Sequence, residues 1–354
     1  MEYSYPLLTK VATHYRTVPH DVKDLYLVCC QHLLEPQKQM FEELISFGFE
    51  PSKILLLGKI YSTNSEILKE LLKLGIQAEQ PEFSGEPFDK EHQRNCIELL
   101  RKVPVGAPCI LLDDGAQLIQ SAIDIGTNAQ FGVEQTSSGF RKLENVEVPF
   151  PVLNVARSAI KLLQESPHVA RHAGERLKEY LQDKGAQGRS VLVVGLGPIG
   201  EAMQNYLEQE GFTVEGFDIR HGHSGLIELI KRKRPSVIIG ATGSAILTSE
   251  ELEQVAEGDL LYLVSLSSSD REFPVASFRN GIRGTHIDIR YKGIVFVNNG
   301  FPISFMGNRN EATPFEMEKT MCLLGGSVMY GSMHPELKAG LQSLPEELEN
   351  IVNS

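Results

Sequence analysis

The chain has 354 residues, of which 42% are hydrophobic and 23% charged, and its net charge at pH 7 is −12. This length allows two domains with separate cores, and the acidic balance argues against a broad nucleic-acid-binding surface. No apolar run approaches the roughly 20 residues of a transmembrane helix, and the five cysteines, without CxxC spacing, are typical of reduced core thiols. We therefore expect a cytoplasmic protein that binds neither nucleic acid nor membranes.

The first half of the chain alternates apolar, strand-like runs with helix-like segments. In order, these are LYLVCC, EPQKQMFEELISFG, KILLLG, SEILKELLKLG and CILLDDG. Both helix-like segments end at glycine, which is the usual residue at a helix C-terminus. The alternation predicts a mainly parallel, doubly wound α/β sheet.

A helical stretch from Val155 then leads to a second α/β series that begins with SVLVVG at Ser190. Its further strands are predicted in FTVEGFDI, PSVIIGATG, LLYLVSLS and GIVFVNNG, and the chain reads as helix from about Pro314. The sequence therefore predicts two α/β domains joined by helix.

A glycine-rich turn follows the first strand of the second series. Its sequence, GLGPIG, fits the G-x-G-x-x-G pattern of dinucleotide-binding folds and precedes a helix. The first glycine permits the tight turn, the second lets a pyrophosphate approach the backbone, and the third lets helix and strand pack closely. The predicted cofactor-binding residues in the turn are Gly195, Gly197, Pro198, Ile199 and Gly200.

Asp218 ends the next strand, where an acidic residue should hold a ribose 2′-hydroxyl. A carboxylate there favours NAD over NADP, while Arg220 two residues later leaves NADP open. Farther on, the string GATGS contains Thr242 and Gly243. Its glycines would allow the end of the third strand to pass close to the cofactor. The order of these features is a strand, a glycine-rich turn, a helix, a second strand and an acidic residue. This order predicts a Rossmann domain that binds NAD.

Several strings, in this order, resemble segments of the S-adenosylhomocysteine hydrolase family. They are HLLEPQKQMFEELISFG, YSTNSEILKELLKLGI, ILLDDGAQL, GVEQTSSG, VPFPVLNVARSAIKLLQES and GLGPIG. The similarity runs from about Leu25 to beyond Met317. The chain ends without the family's lysine-and-tyrosine tail, so it resembles a divergent, C-terminally shortened member.

The resemblance implies a flavodoxin-like substrate domain with an inserted Rossmann NAD-binding domain. We expect the first segment of the substrate domain at 1–160, connecting helices at 161–189, the NAD-binding domain at 190–312, and a helical segment at 313–354 that returns to the substrate domain. Because the family assembles through dimers, we also expect a homodimer.

The resemblance also implies a reaction. The family oxidises the ribose 3′-hydroxyl with tightly bound NAD⁺, which acidifies the C4′ proton. It then eliminates the thiol from C5′, adds water and reduces the ketone again. The cofactor ends unchanged, and its role is to make a C–H bond acidic enough for a side-chain base.

Four candidate catalytic residues follow from the resemblance. Lys161 aligns with the lysine that helps deprotonate the 3′-hydroxyl, and Glu165 stands four residues on, where the family has aspartate; a surface i,i+4 pair is the alternative. Asp114 aligns with the carboxylate near C4′ and C5′, although a turn aspartate would have the same sequence. His32 aligns with the histidine near the leaving group, or is a hydrogen-bonded structural residue.

The motif GVEQTSSG implies further binding residues. Gln135 replaces the family's second glutamate; its amide can hydrogen-bond a substrate hydroxyl but cannot act as a base. Thr136, Ser137 and Ser138 keep the hydroxyl groups that contact NAD in the family.

The chain departs from the family around the adenosine site. Leu34 replaces a threonine, Ser268 and Ala312 replace histidines, and Ser304 replaces an asparagine. Because a site that loses polar partners selects a different ligand, ordinary S-adenosylhomocysteine hydrolysis is not expected. We expect instead an NAD-dependent enzyme that oxidises a ribose or sugar hydroxyl of a nucleoside-like substrate to enable elimination or hydrolysis.

Two alternatives remain open. One is a non-catalytic NAD-binding partner or sensor, and the other is a simple NAD-dependent dehydrogenase with net hydride transfer. No spacing of histidine, cysteine and carboxylate residues indicates a zinc site, so no metal is expected.

Overall fold

A computed structural model describes residues 5–18, 21–186, 188–218, 224–255, 260–308 and 314–354. These residues form two compact units. The first unit lies within 1–82, 91–165 and 312–354, and the second within 83–90 and 166–311. The chain thus passes from one unit to the other after Glu165, whereas the sequence analysis placed a separate connecting segment at 161–189.

Within the described residues, thirteen strands and twelve α-helices are present. The strands are β1 (Tyr26–Leu33), β2 (Ile54–Thr63), β3 (Gln77–Glu79), β4 (Cys109–Asp113), β5 (Ala129–Glu134), β6 (Pro151–Asn154), β7 (Ser190–Val194), β8 (Thr213–Phe217), β9 (Val237–Gly240), β10 (Leu261–Ser265), β11 (Ile289–Tyr291), β12 (Ile294–Phe296) and β13 (Gly340–Gln342). The helices are α1 (Pro6–Arg16), α2 (Glu35–Phe47), α3 (Ser65–Lys73), α4 (Phe88–Leu100), α5 (Gln117–Ile125), α6 (Ser137–Leu143), α7 (Ser166–Asp183), α8 (Pro198–Gln209), α9 (Ser224–Lys233), α10 (Ser249–Val255), α11 (Pro314–Met333) and α12 (Glu346–Asn353). No helix in the described part of the chain is both long and apolar enough to span a bilayer.

The first unit contains a seven-stranded sheet in the order β13-β6-β5-β4-β1-β2-β3, and each neighbouring pair is parallel. The prediction of a doubly wound α/β fold is confirmed. Strands β2 and β3 are added on one side of β1, and strands β4, β5 and β6 are added on its other side. The order 3-2-1-4-5-6 differs from the flavodoxin order 2-1-3-4-5, because strand–helix alternation in a sequence does not determine the side on which each strand joins.

Alternating residues of β1 supply the two faces of this sheet. Leu27 and Cys29 pack on the side of α1, α2 and α11, while Val28 and Cys30 pack on the side of α4 and α5. Because both faces are buried, the strand reads as a continuous apolar run. The C-terminal helix α11 contacts α1, α2 and β5, which places it in the first unit.

The second unit contains a six-stranded sheet in the order β11-β12-β10-β9-β7-β8. Its pairs are parallel except for the antiparallel edge pair of β11 and β12. The direction of winding reverses between β7 and β9. Helix α7 packs against α8, where a Cβ on Gly174 would lie 2.3 Å from the Tyr206 ring. The sequence of the second unit therefore gives a second doubly wound domain.

A short N-terminal segment, 83–90, belongs to the second unit because a buried arginine binds it. The Arg279 guanidinium donates to the carbonyl oxygens of Gly85 at 3.2 Å and Glu86 at 2.9 Å, and to the Asp270 carboxylate at 2.5 Å. Asp270 also accepts a hydrogen bond from the backbone N–H of Phe88 at 3.1 Å. No pattern in the sequence predicted that residues 83–90 belong to the second unit.

Candidate functional site

The structure brings His32 and Asp114 together at the carboxyl edge of the first sheet. His32 lies near the end of β1 and Asp114 directly follows β4, the two strands between which the winding reverses. His32 Nε2 lies 3.2 Å from Asp114 Oδ2, and His32 Nδ1 lies 2.5 Å from the Ser62 hydroxyl. Open α/β sheets bind ligands at such reversal points, so this position agrees with a ligand site.

A third group, Lys59, was not identified from the sequence. Its ammonium group forms an ion pair with Asp114, and only 2% of the lysine is exposed. Burial alone raises the pKa of Asp114, but the charge of Lys59 and the hydrogen bond from His32 lower it overall. Burial likewise opposes the charged form of Lys59, yet Asp114 raises its pKa above the ordinary value. The two groups therefore form a buried, ionised pair.

The environment of His32 favours the neutral imidazole. Burial lowers its pKa, and the charges of Lys59 and Lys161 lower it further, against an opposing contribution from Asp114. Because a carboxylate only accepts, neutral His32 donates from Nε2 to Asp114 and accepts from Ser62 at Nδ1. Both ring nitrogens thus contact protein groups, and the ring holds Asp114 in place.

Lys161 and Glu165 lie on a π-helix, Ile160–Glu165, at the end of the first unit. They form an ion pair, and the second carboxylate oxygen of Glu165 accepts from the Thr320 hydroxyl. Only 12% of the Lys161 side chain and 13% of the Glu165 side chain are exposed. The pair is therefore not the solvated surface pair that the sequence left open. π-helical turns occur often at functional sites, which favours a binding or catalytic role.

Three buried amide side chains stand at the carboxyl ends of strands of the same sheet. They are Gln31 in β1, Gln135 directly after β5 and Asn154 at the end of β6. Within the described part of the chain, the oxygens of all three and the Gln31 nitrogen have no hydrogen-bond partner. Leaving such a group unpaired costs about 1–3 kcal/mol, so these atoms indicate a polar ligand or ordered water. Gln135 is the substrate-binding residue predicted from the sequence.

A buried glutamate, Glu134, fixes the loops that carry these residues. Its carboxylate accepts from the backbone N–H groups of Gly115 at 3.1 Å, Ala116 at 3.0 Å and Thr136 at 2.7 Å. A Cβ on Gly139 would lie 2.2 Å from the same carboxylate, which explains the glycine. Burial raises the pKa of Glu134 to about 8, and the hydrogen bonds from Thr136 oppose that rise.

The three hydroxyl-bearing residues after β5, Thr136, Ser137 and Ser138, have a partly structural role. The Thr136 hydroxyl accepts from the Gly139 N–H at 3.0 Å as the N-cap of α6, and it donates to Glu134 at 2.7 Å. Ser138 Oγ lies 3.3 Å from Thr136 Oγ1, and Ser137 is exposed. Thr136 is therefore explained by the fold, while Ser137 and Ser138 remain predicted cofactor contacts.

The positions that depart from the hydrolase family have different environments. Leu34 is buried at the N-terminus of α2, and Ser268 and Ser304 are half-buried in the second unit. Ala312 lies outside the described residues.

In the second unit, the glycine-rich turn has the geometry that each glycine was predicted to need. Gly195 has φ of +99°, and a Cβ there would lie 2.8 Å from the Ala241 backbone. A Cβ on Gly200 would lie 1.8 Å from the Gly195 carbonyl oxygen. At Gly197, by contrast, a Cβ would meet no atom of the described residues within 4 Å. Two glycines therefore allow close packing, and the middle one leaves open space at the start of α8.

The other predicted cofactor residues surround this turn. Gly197 is the N-cap of α8, Pro198 begins the helix and Ile199 is half-buried next to it. Asp218 is buried directly after β8, the strand paired with β7. Arg220, which left NADP open, lies outside the described residues.

A second buried carboxylate, Glu272, orders the loop that contains Thr242 and Gly243. It accepts from the backbone N–H groups of Thr242 at 2.6 Å and Gly243 at 3.1 Å, and from the hydroxyls of Ser265 at 2.8 Å and Ser267 at 3.0 Å. Glu272 could not be identified from the sequence, because a single glutamate in a polar loop belongs to no recognisable pattern. Thr242 and Gly243 are thus held at the end of β9, beside the turn after β7.

We expect Glu272→Gln to lower the free energy of unfolding by about 2–3 kcal/mol. The backbone N–H groups of Thr242 and Gly243 both donate to the carboxylate, and an amide nitrogen in its place would be a further donor rather than an acceptor. Chemical denaturation followed by circular dichroism measures the change. Glu228→Gln, at an exposed position of α9 in the same unit, is the control and should leave stability unchanged. Equal stability of the two variants would show that Glu272 does not order this loop.

The chain is 32% identical over 327 residues to the uncharacterized protein Rv0104 of Mycobacterium tuberculosis (strain ATCC 25618 / H37Rv), and to the same extent to the uncharacterized protein MT0113 of strain CDC 1551 / Oshkosh. The match covers 87% of this chain and 64% of each relative, so the chain spans less than two thirds of the length of these relatives. No family model matches the chain.

Among solved structures, the phosphoglycerate oxidoreductase from Vibrio cholerae o395 is 12% identical, with 69% of this chain and 76% of that chain covered and a TM-score of 0.38. The A chain of Bacillus subtilis dipicolinate synthase is 10% identical, with 89% and 95% covered and a TM-score of 0.34. Trypanosoma brucei methylenetetrahydrofolate dehydrogenase-cyclohydrolase, complexed with NADP and an inhibitor, is 12% identical, with 89% and 92% covered and a TM-score of 0.31. With TM-scores this low, the likenesses say nothing about the activity of this chain.

Proposed function

We propose that the chain is an NAD-dependent enzyme, similar to adenosylhomocysteinases, that oxidises a hydroxyl group of a nucleoside-like or sugar substrate and thereby enables elimination or hydrolysis. The observation that carries the proposal is the turn after β7, in which Gly195 and Gly200 are tightly packed while Gly197 faces open space. A pyrophosphate that approaches the backbone at this middle position would account for a glycine where packing among the described residues does not require one.

The described residues fit a dinucleotide. The backbone of Gly197 and the first turn of α8 would bind the pyrophosphate, because free N–H groups and the helix dipole favour an anion there. Asp218, buried after β8, would accept from the ribose hydroxyls. When bound, the nicotinamide supplies a hydride acceptor for alcohol oxidation.

The first unit would bind and orient the substrate. The amide oxygens of Gln31, Gln135 and Asn154, which have no hydrogen-bond partner among the described residues, suit a ligand with several hydroxyl groups. Glu165 would accept a proton from the Lys161 ammonium group, and the neutral amine of Lys161 would then take the proton of the hydroxyl that is oxidised. Asp114 has a lowered pKa and would act as a fixed negative charge near the substrate carbon, with His32 and Lys59 fixing its orientation.

The substrate is expected to differ from S-adenosylhomocysteine. Leu34 stands where the family has a threonine that helps shape the adenosine site, and Ser268 stands where it has a histidine, so polar groups of the family's site would be lost. A site that lacks such partners discriminates against the ligand that needs them.

The first test is cofactor binding. NAD⁺ should raise the thermal stability of the protein by mass action, and calorimetry should give a dissociation constant. Gly197→Ala should fold normally, because its Cβ would meet no atom of the described residues within 4 Å, but should bind NAD⁺ about tenfold or more weakly, which corresponds to about 1.4 kcal/mol. NAD⁺ affinity that is unchanged in this variant would contradict a pyrophosphate at the turn.

The second test is oxidation of substrate. The NAD⁺-loaded protein is mixed with adenosine, S-adenosylhomocysteine and a panel of nucleosides, and the near-ultraviolet absorbance of reduced nicotinamide is followed in time. We expect transient reduction that Lys161→Ala abolishes, because the hydroxyl proton then has no acceptor. Lys69→Ala is the control, since Lys69 is an exposed lysine that also pairs with a glutamate on its own helix.

The outcomes of this experiment also separate the alternatives. Lasting accumulation of reduced cofactor would indicate a simple dehydrogenase. Tight NAD⁺ binding without any reduction across the panel would indicate a non-catalytic binding protein. Equal reduction by the Lys161→Ala and Lys69→Ala variants would contradict the role given to Lys161.

A further inference from the structure

A cluster of two cysteines and one histidine lies inside the first unit, apart from the residues given a role above. Cys30 belongs to β1, and His92 and Cys96 belong to α4. The Sγ atoms of Cys30 and Cys96 are 3.4 Å apart, and one ligand atom from each of the three residues lies within 4.8 Å of the others. All three side chains are buried.

The fold assembles this cluster from distant parts of the chain. Cys30 projects from β1 toward the α4 side of the sheet, as Val28 does. His92 and Cys96 are four residues apart and therefore share one face of α4. The sequence analysis predicted no metal ligands because Cys30 and Cys96 are separated by 66 residues, which matches no zinc motif.

The geometry points to a zinc site formed by Cys30, His92 and Cys96. Zinc binds thiolate sulfur at about 2.3 Å and imidazole nitrogen at about 2.0 Å, so ligand atoms in a tetrahedral site are about 3.3–3.8 Å apart. The two sulfurs lie 3.4 Å apart, and one ligand atom of each of the three residues lies within 4.8 Å of the others, so the three groups are already gathered close to that spacing. A disulfide would require the two sulfur atoms to approach from 3.4 Å to about 2.0 Å, which is a larger change in their separation than zinc binding requires.

The ligand types select the metal. Two sulfur atoms and one imidazole suit zinc, whereas magnesium and calcium require oxygen ligands. Two thiolates neutralise the charge of one Zn²⁺, so the complex can be buried among apolar neighbours such as Leu99 and Leu111 without a large charge penalty. Three protein ligands leave one coordination position for a further group.

The first experiment measures metal in the intact chain. The protein is produced in zinc-supplemented medium, purified with a reductant and without chelator, and analysed by plasma mass spectrometry and zinc X-ray absorption. We expect about one zinc ion per chain, with two sulfur ligands and at least one imidazole nitrogen. Substoichiometric zinc after reconstitution, or a shell of oxygen ligands only, would overturn the proposal.

Variants then test the ligands. Cys96→Ser and His92→Gln should each lose most of the bound zinc, while Cys322→Ser, which changes a buried cysteine of α11 outside the cluster, should keep it. Retention of zinc by all three variants would overturn the assignment. If the cluster variants do not fold, alkylation of the wild-type chain tests the ligands instead. Bound zinc should protect Cys30 and Cys96 from the alkylating reagent. A Cys30–Cys96 disulfide found in reductant-purified, zinc-treated protein would contradict the site.

Discussion

Asp114→Asn is expected to lower the free energy of unfolding by about 3–5 kcal/mol, because it leaves the Lys59 ammonium buried without its counter-charge. The carboxylate also accepts a hydrogen bond from His32, and an amide can replace that contact only in part. Urea denaturation of the wild type and the variant measures the difference.

A double-mutant cycle isolates the ion pair from other effects of the substitution. Lys59→Met should also be strongly destabilising, since it leaves Asp114 charged and buried. Combining Lys59→Met with Asp114→Asn should cost clearly less than the sum of the single changes, because no uncompensated charge remains. Strictly additive losses would show that the two groups do not interact as the structure indicates.

The pH dependence of this effect has a definite sign. The pKa of Asp114 is lowered in the folded state, so the stability it supplies is present above its ordinary pKa of 3.8 and is lost as pH falls. The pKa of Lys59 is raised, so its contribution is complete below the ordinary value of 10.5 and is lost only at higher pH. The difference between wild type and Asp114→Asn should therefore be constant around neutral pH and shrink below pH 3.8. A difference that grows on acidification would contradict the ionised pair.

Gly200→Ala is expected to destabilise the second unit by about 3 kcal/mol or more and to abolish NAD⁺ binding. The new Cβ would lie 1.8 Å from the Gly195 carbonyl oxygen, so the backbone of the turn must move. This costs more than ordinary overpacking by side chains, which is typically about 1–3 kcal/mol. Thermal unfolding and calorimetric titration with NAD⁺ measure the two effects.

The matched control for Gly200→Ala lies in the same turn. Gly197→Ala introduces the same methyl group where nothing in the described part of the chain lies within 4 Å, so its unfolding temperature should stay close to that of the wild type. Together the two variants separate a glycine required for packing from a glycine required for ligand approach. Similar stability losses at both positions would show that the turn is packed differently.

Much of the candidate site could be predicted from local patterns. Strand–helix alternation indicates parallel strands, and candidate ligand-binding residues of such sheets are found directly after the strands, where Asp114, Gln135 and Asp218 lie. The spacing of Gly195, Gly197 and Gly200 predicted a turn that the structure shows in detail. These signals are local, because each depends on residues within one strand, turn and helix.

Other members of the site have no local signal. Lys59 stands in an apolar strand, and only pairing of the strands in the order 2-1-4 places it against Asp114. Glu134 and Glu272 look like ordinary loop-end carboxylates until the fold surrounds them with N–H donors. The partner of a charged group is set by tertiary packing, which periodicity does not encode.

The sequence by itself determined that the chain forms two doubly wound α/β units and that the second carries a glycine-rich turn after its first strand, because side-chain periodicity and glycine spacing act within single elements. Only the tertiary structure decided the strand order of each sheet, the pairing of Lys59 with Asp114 and the meeting of Cys30 with His92 and Cys96. Those features depend on which elements bury surface against each other, and that choice is made by the whole fold rather than by any one segment.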